Sequence, residues 1–512
     1  MRRVLLGAAA GIAIVTVAAR VVGFGRTAVL SRTLGTSCVG DTYQAANALP
    51  NVVFEIVAGG ALAALVVPVL AGAVAAGDRA TASRTASALL TWTVAVLVPV
   101  ALLGALAAPT LMRVVLSDDP TCAGAVQTGA RMLVVFMPQV VLYGVGIVLA
   151  GVLQAHRRFL GPALAPLLSS VVVITAYLLY AARGRVDQLE DLSRTQELVL
   201  SVGTTLGVAV LSLGLLVPLR RCGLRLRPTL WFPPGVARTV RRLAAGGVAG
   251  LAAQQLALVV ALRLAATGPD EGAVVVFTVA TALFLLPWAV LAVPVATSVF
   301  PTLTSASAED YAVVLGRALR AVLLAMAGAA AVLAVVAVPV SRLLVEGVPG
   351  STSTGSLAAA VVAFAPGLVG YGLVALLSRA LYARGDARTP AVATVVGWSV
   401  VVGVDLALVA ALPDADRVVL LGLGNTAGVT VAGVLLLLGV RPALGGSGAG
   451  RSALVGALGA GLAVLAVLLP LPEPAPFTDV LLTSGLALLA GTVFLTVARL
   501  LDPVGLRGLL RA

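Results

Sequence analysis

Lysine is absent from this 512-residue sequence, histidine occurs once, and charged residues of every kind fill only 11% of positions. An ordinary soluble domain carries about 25% charged and about 45–50% apolar residues. Here 60% are apolar, which leaves too little polar surface to cover a water-soluble fold, so the bilayer is the expected solvent. Aromatic residues are scarce, at 4%, and no basic-aromatic stripe offers stacking platforms for bases. That excludes nucleic acid as the partner of the +13 net charge, which comes wholly from arginine. Three cysteines with no CxxC and no His/Cys cluster give no zinc site. The single histidine, His156, falls in a short turn between apolar runs. With no nucleophile–base pair, phosphate loop or metal-ligand constellation, an enzyme is not expected. The alternating ten-residue strands of a membrane barrel are missing too.

What the sequence does have is apolar runs of about 20 residues or more, the length a spanning helix needs. Fourteen are separated by Gly, Pro and charged punctuation, from 5–34 and 44–72 at the start, through 160–181, 197–218 and 388–411, to 452–471 and 478–500 at the end. The expected fold is therefore an all-α integral membrane protein of 14 transmembrane helices. Arg2 and Arg3 before an apolar stretch imitate a signal peptide, but the run continues past Arg20 to about Leu34 and is taken as a retained first helix. Arginines concentrate in alternate connections (Arg79 and Arg84; Arg157 and Arg158; Arg220, Arg221, Arg225, Arg227 and Arg238; Arg384 and Arg388). Acids such as Asp41, Asp118, Asp119, Asp270, Glu271, Asp414 and Asp416 mark the others. The arginine-rich side is the cytoplasmic one by the positive-inside rule, which puts both termini in the cytoplasm. Cys38 and Cys122 then fall in external loops, where a disulfide could form, although two unpaired thiols fit equally well; Cys222 lies among cytoplasmic arginines and is expected reduced.

A segment starting Pro138-Gln-Val-Val-Leu-Tyr143-Gly144 recurs as Pro366-Gly-Leu-Val-Gly-Tyr371-Gly372, and the re-entry prolines Pro162 and Pro390 keep the same offset of 228 residues. Both copies run in the same direction across the membrane, the mark of a parallel repeat. The expected organisation is a six-helix lobe over 1–218, a basic cytoplasmic linker over 219–238 and a second six-helix lobe over 239–440. Two accessory helices over 452–500 and a cytoplasmic tail over 501–512 complete it. Two such lobes suit a central cavity and alternating access.

Ionisable residues inside a membrane are costly and are usually placed for function. The first run holds Arg20, Gly23, Gly25 and Arg26. Arg20 lies ~24 Å along the helix at 1.5 Å per residue, deep in the bilayer. The glycines are candidate hinges that permit a bend or local unwinding. An arginine fork there suits a phosphate or pyrophosphate, gripped by paired hydrogen bonds; neutralisation by Asp41 or Glu55 is the structural alternative. Glu55 is a candidate proton or cation site or an arginine's partner. Arg131 either lines the cavity or snorkels outward, and Asp405 could bind a cation.

The motifs Ala19-Arg20-Val-Val-Gly23-Phe24-Gly-Arg26, Asp41-Thr-Tyr through Leu49-Pro50-Asn51, and Val67-Pro68-Val-Leu70 resemble the MurJ/MviN family of lipid II flippases. That family belongs to the multidrug/oligosaccharidyl-lipid/polysaccharide exporter superfamily. Arg158-Phe-x-x-Pro162 and Ala383-Arg-Gly-Asp386-x-Arg388-Thr-Pro390 are similar to the family's turns. The resemblance implies movement of an undecaprenyl-pyrophosphate-linked peptidoglycan precursor from the inner to the outer leaflet of a bacterial plasma membrane. It further implies Arg20 and Arg26 in a cationic cavity, Asp41 near the outer gate, and a lipid-tail groove on the last two helices. Membrane lipids, and cell-wall synthesis or division proteins, are the implied partners. No cofactor is implied, only coupling to the membrane potential or a monovalent cation. Composition rich in Ala, Val, Gly and Arg suggests a high-GC, actinobacterial source. Departures are also visible: the family's arginine pair after Leu-Pro-Asn is Phe54 and Glu55 here, its downstream glutamate is Gly59, and its second-lobe arginine falls at Ala282. A cation-coupled drug or oligosaccharide-lipid exporter and a non-transporting cell-wall scaffold are the alternatives.

Overall fold

The computed structural model describes residues 2–56, 60–117, 122–224, 226–232, 248–348 and 354–444, with 485, 491 and 492. The expected accessory helices over 452–500 (apart from 485, 491 and 492), the tail over 501–512 and positions 225 and 233–238 of the linker lie outside the described residues. The first half is built from α1 (Arg2–Leu34), α2 (Cys38–Phe54), α3 (Gly60–Ala75), α4 (Arg79–Leu106), α5 (Ala108–Val115), α6 (Ala125–Phe136), α7 (Pro138–Ala155), α8 (Leu160–Ala181), α9 (Arg194–Leu213) and α10 (Leu216–Arg220). The second holds α11 (Val248–Ala266), α12 (Ala273–Pro287), α13 (Val293–Ser305), α14 (Ala308–Val335), α15 (Ala337–Val345), α16 (Thr354–Phe364), α17 (Gly367–Ala383), α18 (Arg388–Ala411) and α19 (Arg417–Leu444). Among the described residues nine helices are long and apolar enough to cross a membrane, and α16 with α17, bent by 41°, makes a tenth.

The chain divides into two compact units, Met1–Gln255 with Val348–Gly350 and Leu256–Gly347 with Ser351–Ala512, so the division falls inside α11. Each unit repeats one plan. In the first, α2 packs on α6, α3 and α4 on α7, α5 on α6, α8 on α9, and both α6 and α7 on α9. In the second, α12 packs on α16, α13 and α14 on α17, α15 on α16, α18 on α19, and both α16 and α17 on α19.

The spans also break at matching places. Pro138 opens α7 and Pro366 caps α17; each lacks the N–H that would continue the helix before it. The run that starts with α2 passes into a π turn at Glu55 and Ile56, and the one that starts with α12 does so over Trp288–Ala292, just after Pro287. A π turn absorbs the hydrogen bond a proline removes and bends the span.

Small residues let helices approach closely where no water drives association. A Cβ on Gly370 of α17 would lie 2.6 Å from the Val429 carbonyl oxygen and 2.8 Å from the Thr430 nitrogen of α19. Backbone atoms cannot rotate away, so Gly370→Ala is expected to push α17 off α19 and lower the melting temperature in detergent.

Cys38 and Cys122 form a disulfide, with Cα atoms 5.5 Å apart, between the start of α2 and the approach to α6. It closes a loop across 84 residues, and Cys222 is the free thiol. Burial pushes the Cys222 thiol above its ordinary range, which keeps it mostly protonated and slow to react. Thiol titration of the intact protein is therefore expected to find one slow thiol, and three after reduction. Cys38→Ser should cost about 2–4 kcal/mol in thermal unfolding.

Candidate functional site

Arg20 and Arg26 lie in α1, both exposed, six residues or ~9 Å apart along the axis. At 3.6 residues per turn Gly23 falls on the face between them, about 60° from each. A Cβ built at Gly23 or at Gly25 meets nothing within 4 Å. Of the bend or local unwinding that these glycines permit, no unwinding is present: α1 is continuous through both. With no side chain competing and no water solvating the backbone, glycine stays helical there. The glycines instead leave the surface around the two guanidinium groups bare. Gly23→Ala is expected to keep or raise stability, by about 0.5–1 kcal/mol, as read in a melting curve. A fall in transport by that stable variant would show that the bare face is occupied by ligand.

Three tyrosines, Tyr43, Tyr143 and Tyr177, come from α2, α7 and α8, and two of them are joined: the Tyr43 hydroxyl lies 3.0 Å from that of Tyr177 and 2.6 Å from Thr204 Oγ1 on α9. A second chain runs beside it. The Tyr143 hydroxyl donates to Gln139 Oε1 (3.3 Å), Gln139 Nε2 to Thr205 Oγ1 (3.1 Å), and Thr205 Oγ1 to the Val135 carbonyl (3.0 Å). The two chains tie α2, α7, α8 and α9 together through side-chain hydroxyl and amide groups. Phe54, which stands where the family pattern has an arginine, is buried with its ring 5.7 Å from that of Tyr143.

Asp41 is buried in the first turn of α2, where the helix dipole favours a carboxylate. Glu55 is half-buried in the π turn and, among the described residues, makes no ion pair with Arg20 or Arg26. Arg131 is engaged elsewhere. Its Nε and Nη2 donate to Glu197 at 3.1 and 2.9 Å, and Nη2 also reaches Thr128 Oγ1 at 3.1 Å. Glu197 is only 2% exposed and takes a second ion pair from Arg194. Sequence reasoning did not single out Glu197; the Ser193–Gln196 capping box was the signal that the helix begins ahead of it. In the second unit Asp405 is 1% exposed, packs against Gly424, and its Oδ1 has no hydrogen-bond partner among the described residues. Arg379 folds back on its own helix, donating to the Ala375 carbonyl at 2.7 Å.

An all-helical fold with at least nine helices long and apolar enough to cross a membrane among the described residues, and one packing plan repeated in two units, is that of a membrane transporter. A solved inward-facing multidrug resistance MATE family transporter of the MOP superfamily shares the fold at a TM-score of 0.67 and 16% identity, over 83% of this chain and 94% of that one. A lipid II flippase MurJ in an inward closed conformation shares it at 0.77 and 16% identity, over 95% and 98%. The family model for lipid II flippase MurJ matches residues 30–471, and the chain belongs to that family. Among curated relatives, lipid II flippase MurJ of Burkholderia cenocepacia is 28% identical over 443 residues, 83% of this chain and 82% of the relative. A probable lipid II flippase MurJ of Rhizobium meliloti is 29% identical over 417 residues, 77% and 73%.

Proposed function

We propose that this protein moves a polyprenyl-pyrophosphate-linked peptidoglycan precursor, lipid II, from the inner to the outer leaflet of a bacterial plasma membrane by alternating access. Arg20 and Arg26 grip the pyrophosphate. The observation that carries this reading is that both guanidinium groups stand exposed beside a bare glycine face and, among the described residues, no carboxylate pairs with them. Guanidinium groups left unneutralised in a span favour an anion, and their planar fork matches a phosphate. Arg131 holds Glu197 and contributes structure to the site, not charge. The termini face the cytoplasm and the disulfide faces outward. Coupling runs through the membrane potential or a monovalent cation, for which buried Asp405 is the candidate carboxylate.

The test is reconstitution. Purified protein in vesicles carrying labelled lipid II should expose the label to an external, membrane-impermeant reagent. Absence of movement by folded protein, in vesicles where a known flippase works, would sink the proposal and favour a scaffold. Glu55, which makes no ion pair among the described residues, favours a second reading, a cation-coupled exporter. Under it, Glu55→Gln would abolish drug efflux while lipid II movement was absent.

A further inference from the structure

The chain beyond α10 is not a slack connection. Leu226–Phe232 runs beside α4 in the same direction and is fastened at three points. The Arg227 N–H donates to Ser87 Oγ (3.0 Å), the Thr229 N–H to Thr91 Oγ1 (3.0 Å), and Trp92 Nε1–H to the Leu230 carbonyl (2.9 Å). Side chains of α4 thus satisfy the polar groups of a non-helical backbone, as a region poor in water demands. Leu226 and Phe232 pack on the first unit's core. Leu230 and Trp231 point the other way, 53% and 84% exposed, with Trp92 45% exposed at the same level.

Cations gather at the foot of this strap. Arg84, Arg157, Arg158, Arg220, Arg221 and Arg227 are all exposed, and among the described residues none makes an ion pair. Arg158 Nη2 donates to the Arg221 carbonyl at 2.9 Å, which ties the turn after α7 to the strap's base. Arg157 adopts a left-handed backbone with φ 57 in that turn. Arg84 and Ser87 are three residues apart on one face of α4, which brings Arg84 to the level where Arg227 is fastened. The described connections at this end of the first unit contain one acid, Asp78, and it is occupied in capping α4 through Thr81. Arg84 to Trp92 spans ~12 Å of helix, the scale of a step from lipid headgroup into acyl chain.

We infer that the strap and the turn at Arg157–Arg158 form a binding site for an anionic phospholipid, with its phosphate among Arg158, Arg221 and Arg227 and its acyl chain along Leu230, Trp231 and Trp92. A soluble phosphate would leave the exposed leucine and tryptophans without a partner, and a zwitterionic lipid would leave the arginines without a counter-charge. Juxtamembrane basic residues attract anionic lipid with about 1 kcal/mol each. This strap adds a fixed backbone that holds cation and aromatic in register.

Fluorescence quenching by brominated lipids tests this on the full chain. The protein is placed in phosphatidylcholine vesicles doped with either brominated phosphatidylglycerol or brominated phosphatidylcholine. The emission of Trp231 is taken as the part removed by Trp231→Phe. Brominated phosphatidylglycerol is expected to quench it preferentially. Each of Arg158→Gln, Arg221→Gln and Arg227→Gln should weaken that preference about fivefold, while Arg113→Gln, outside this patch, leaves it unchanged. Ser87→Ala with Thr91→Ala keeps every arginine but frees the strap, and should also erase the preference. Equal quenching by the two lipids, or a preference that survives the triple arginine replacement in protein with an unchanged melting curve, would overturn the site. So would displacement of the brominated phosphatidylglycerol by lipid II but not by excess unlabelled phosphatidylglycerol, since the strap would then hold the transported lipid.

Discussion

Replacing Arg20 and Arg26 together by alanine is expected to reduce lipid II translocation to background while leaving the melting temperature within a few degrees. A hydrogen bond to a charged group is worth about 1.5–3 kcal/mol, so losing one guanidinium fork should lower transport roughly 10- to 100-fold and losing both should multiply the effects. Folding should be spared because both side chains are exposed and make no ion pair among the described residues. Arg26→Lys keeps the charge but not the planar fork, and partial rescue by lysine would separate simple attraction from two-point gripping. Full transport by the double alanine variant at normal abundance would end the assignment of the site to α1.

Arg131→Ala is expected to act through stability instead. It leaves the carboxylate of Glu197, 2% exposed, with Arg194 alone to compensate it. Removing one partner of a buried pair costs about 3–5 kcal/mol; the lower end applies because Arg194 remains. Glu197→Ala should cost less, since the arginines it abandons are 43% and 57% exposed and water can solvate them. The double variant should recover part of the loss, and a thermal double-mutant cycle measures this. Unchanged melting with lost transport in Arg131→Ala would return Arg131 to the substrate site.

The spans were legible because bilayer length and arginine punctuation are both written locally. The expected runs 160–181 and 388–411 coincide with α8 and α18, and Pro138 and Pro366, chosen as repeat landmarks, mark the breaks within their spans. The site was legible only where its residues were rare, as with arginine in an apolar run. Tyr43 meets Tyr177 and Thr204 across 134 and 161 residues of sequence, and no local pattern announces such a meeting. Glu197 stands at the very edge of the expected run 197–218, whereas α9 begins at Arg194 and puts the acid inside its first turn. The strap on α4 was invisible for a third reason. Extended backbone held by Ser87, Thr91 and Trp92 has no periodicity, and its arginines look like any cytoplasmic loop's.

The matched breaks in the two units have an ancestral meaning. Because both copies break their second and fourth spans at equivalent points, those breaks predate the duplication that made the chain two-fold. Chemistry then diverged on an inherited skeleton: one half kept bare cations on its opening helix, the other a lone acid sealed from solvent. Each half is thus free to change its specificity by side-chain substitution alone, with the bending pattern held in common.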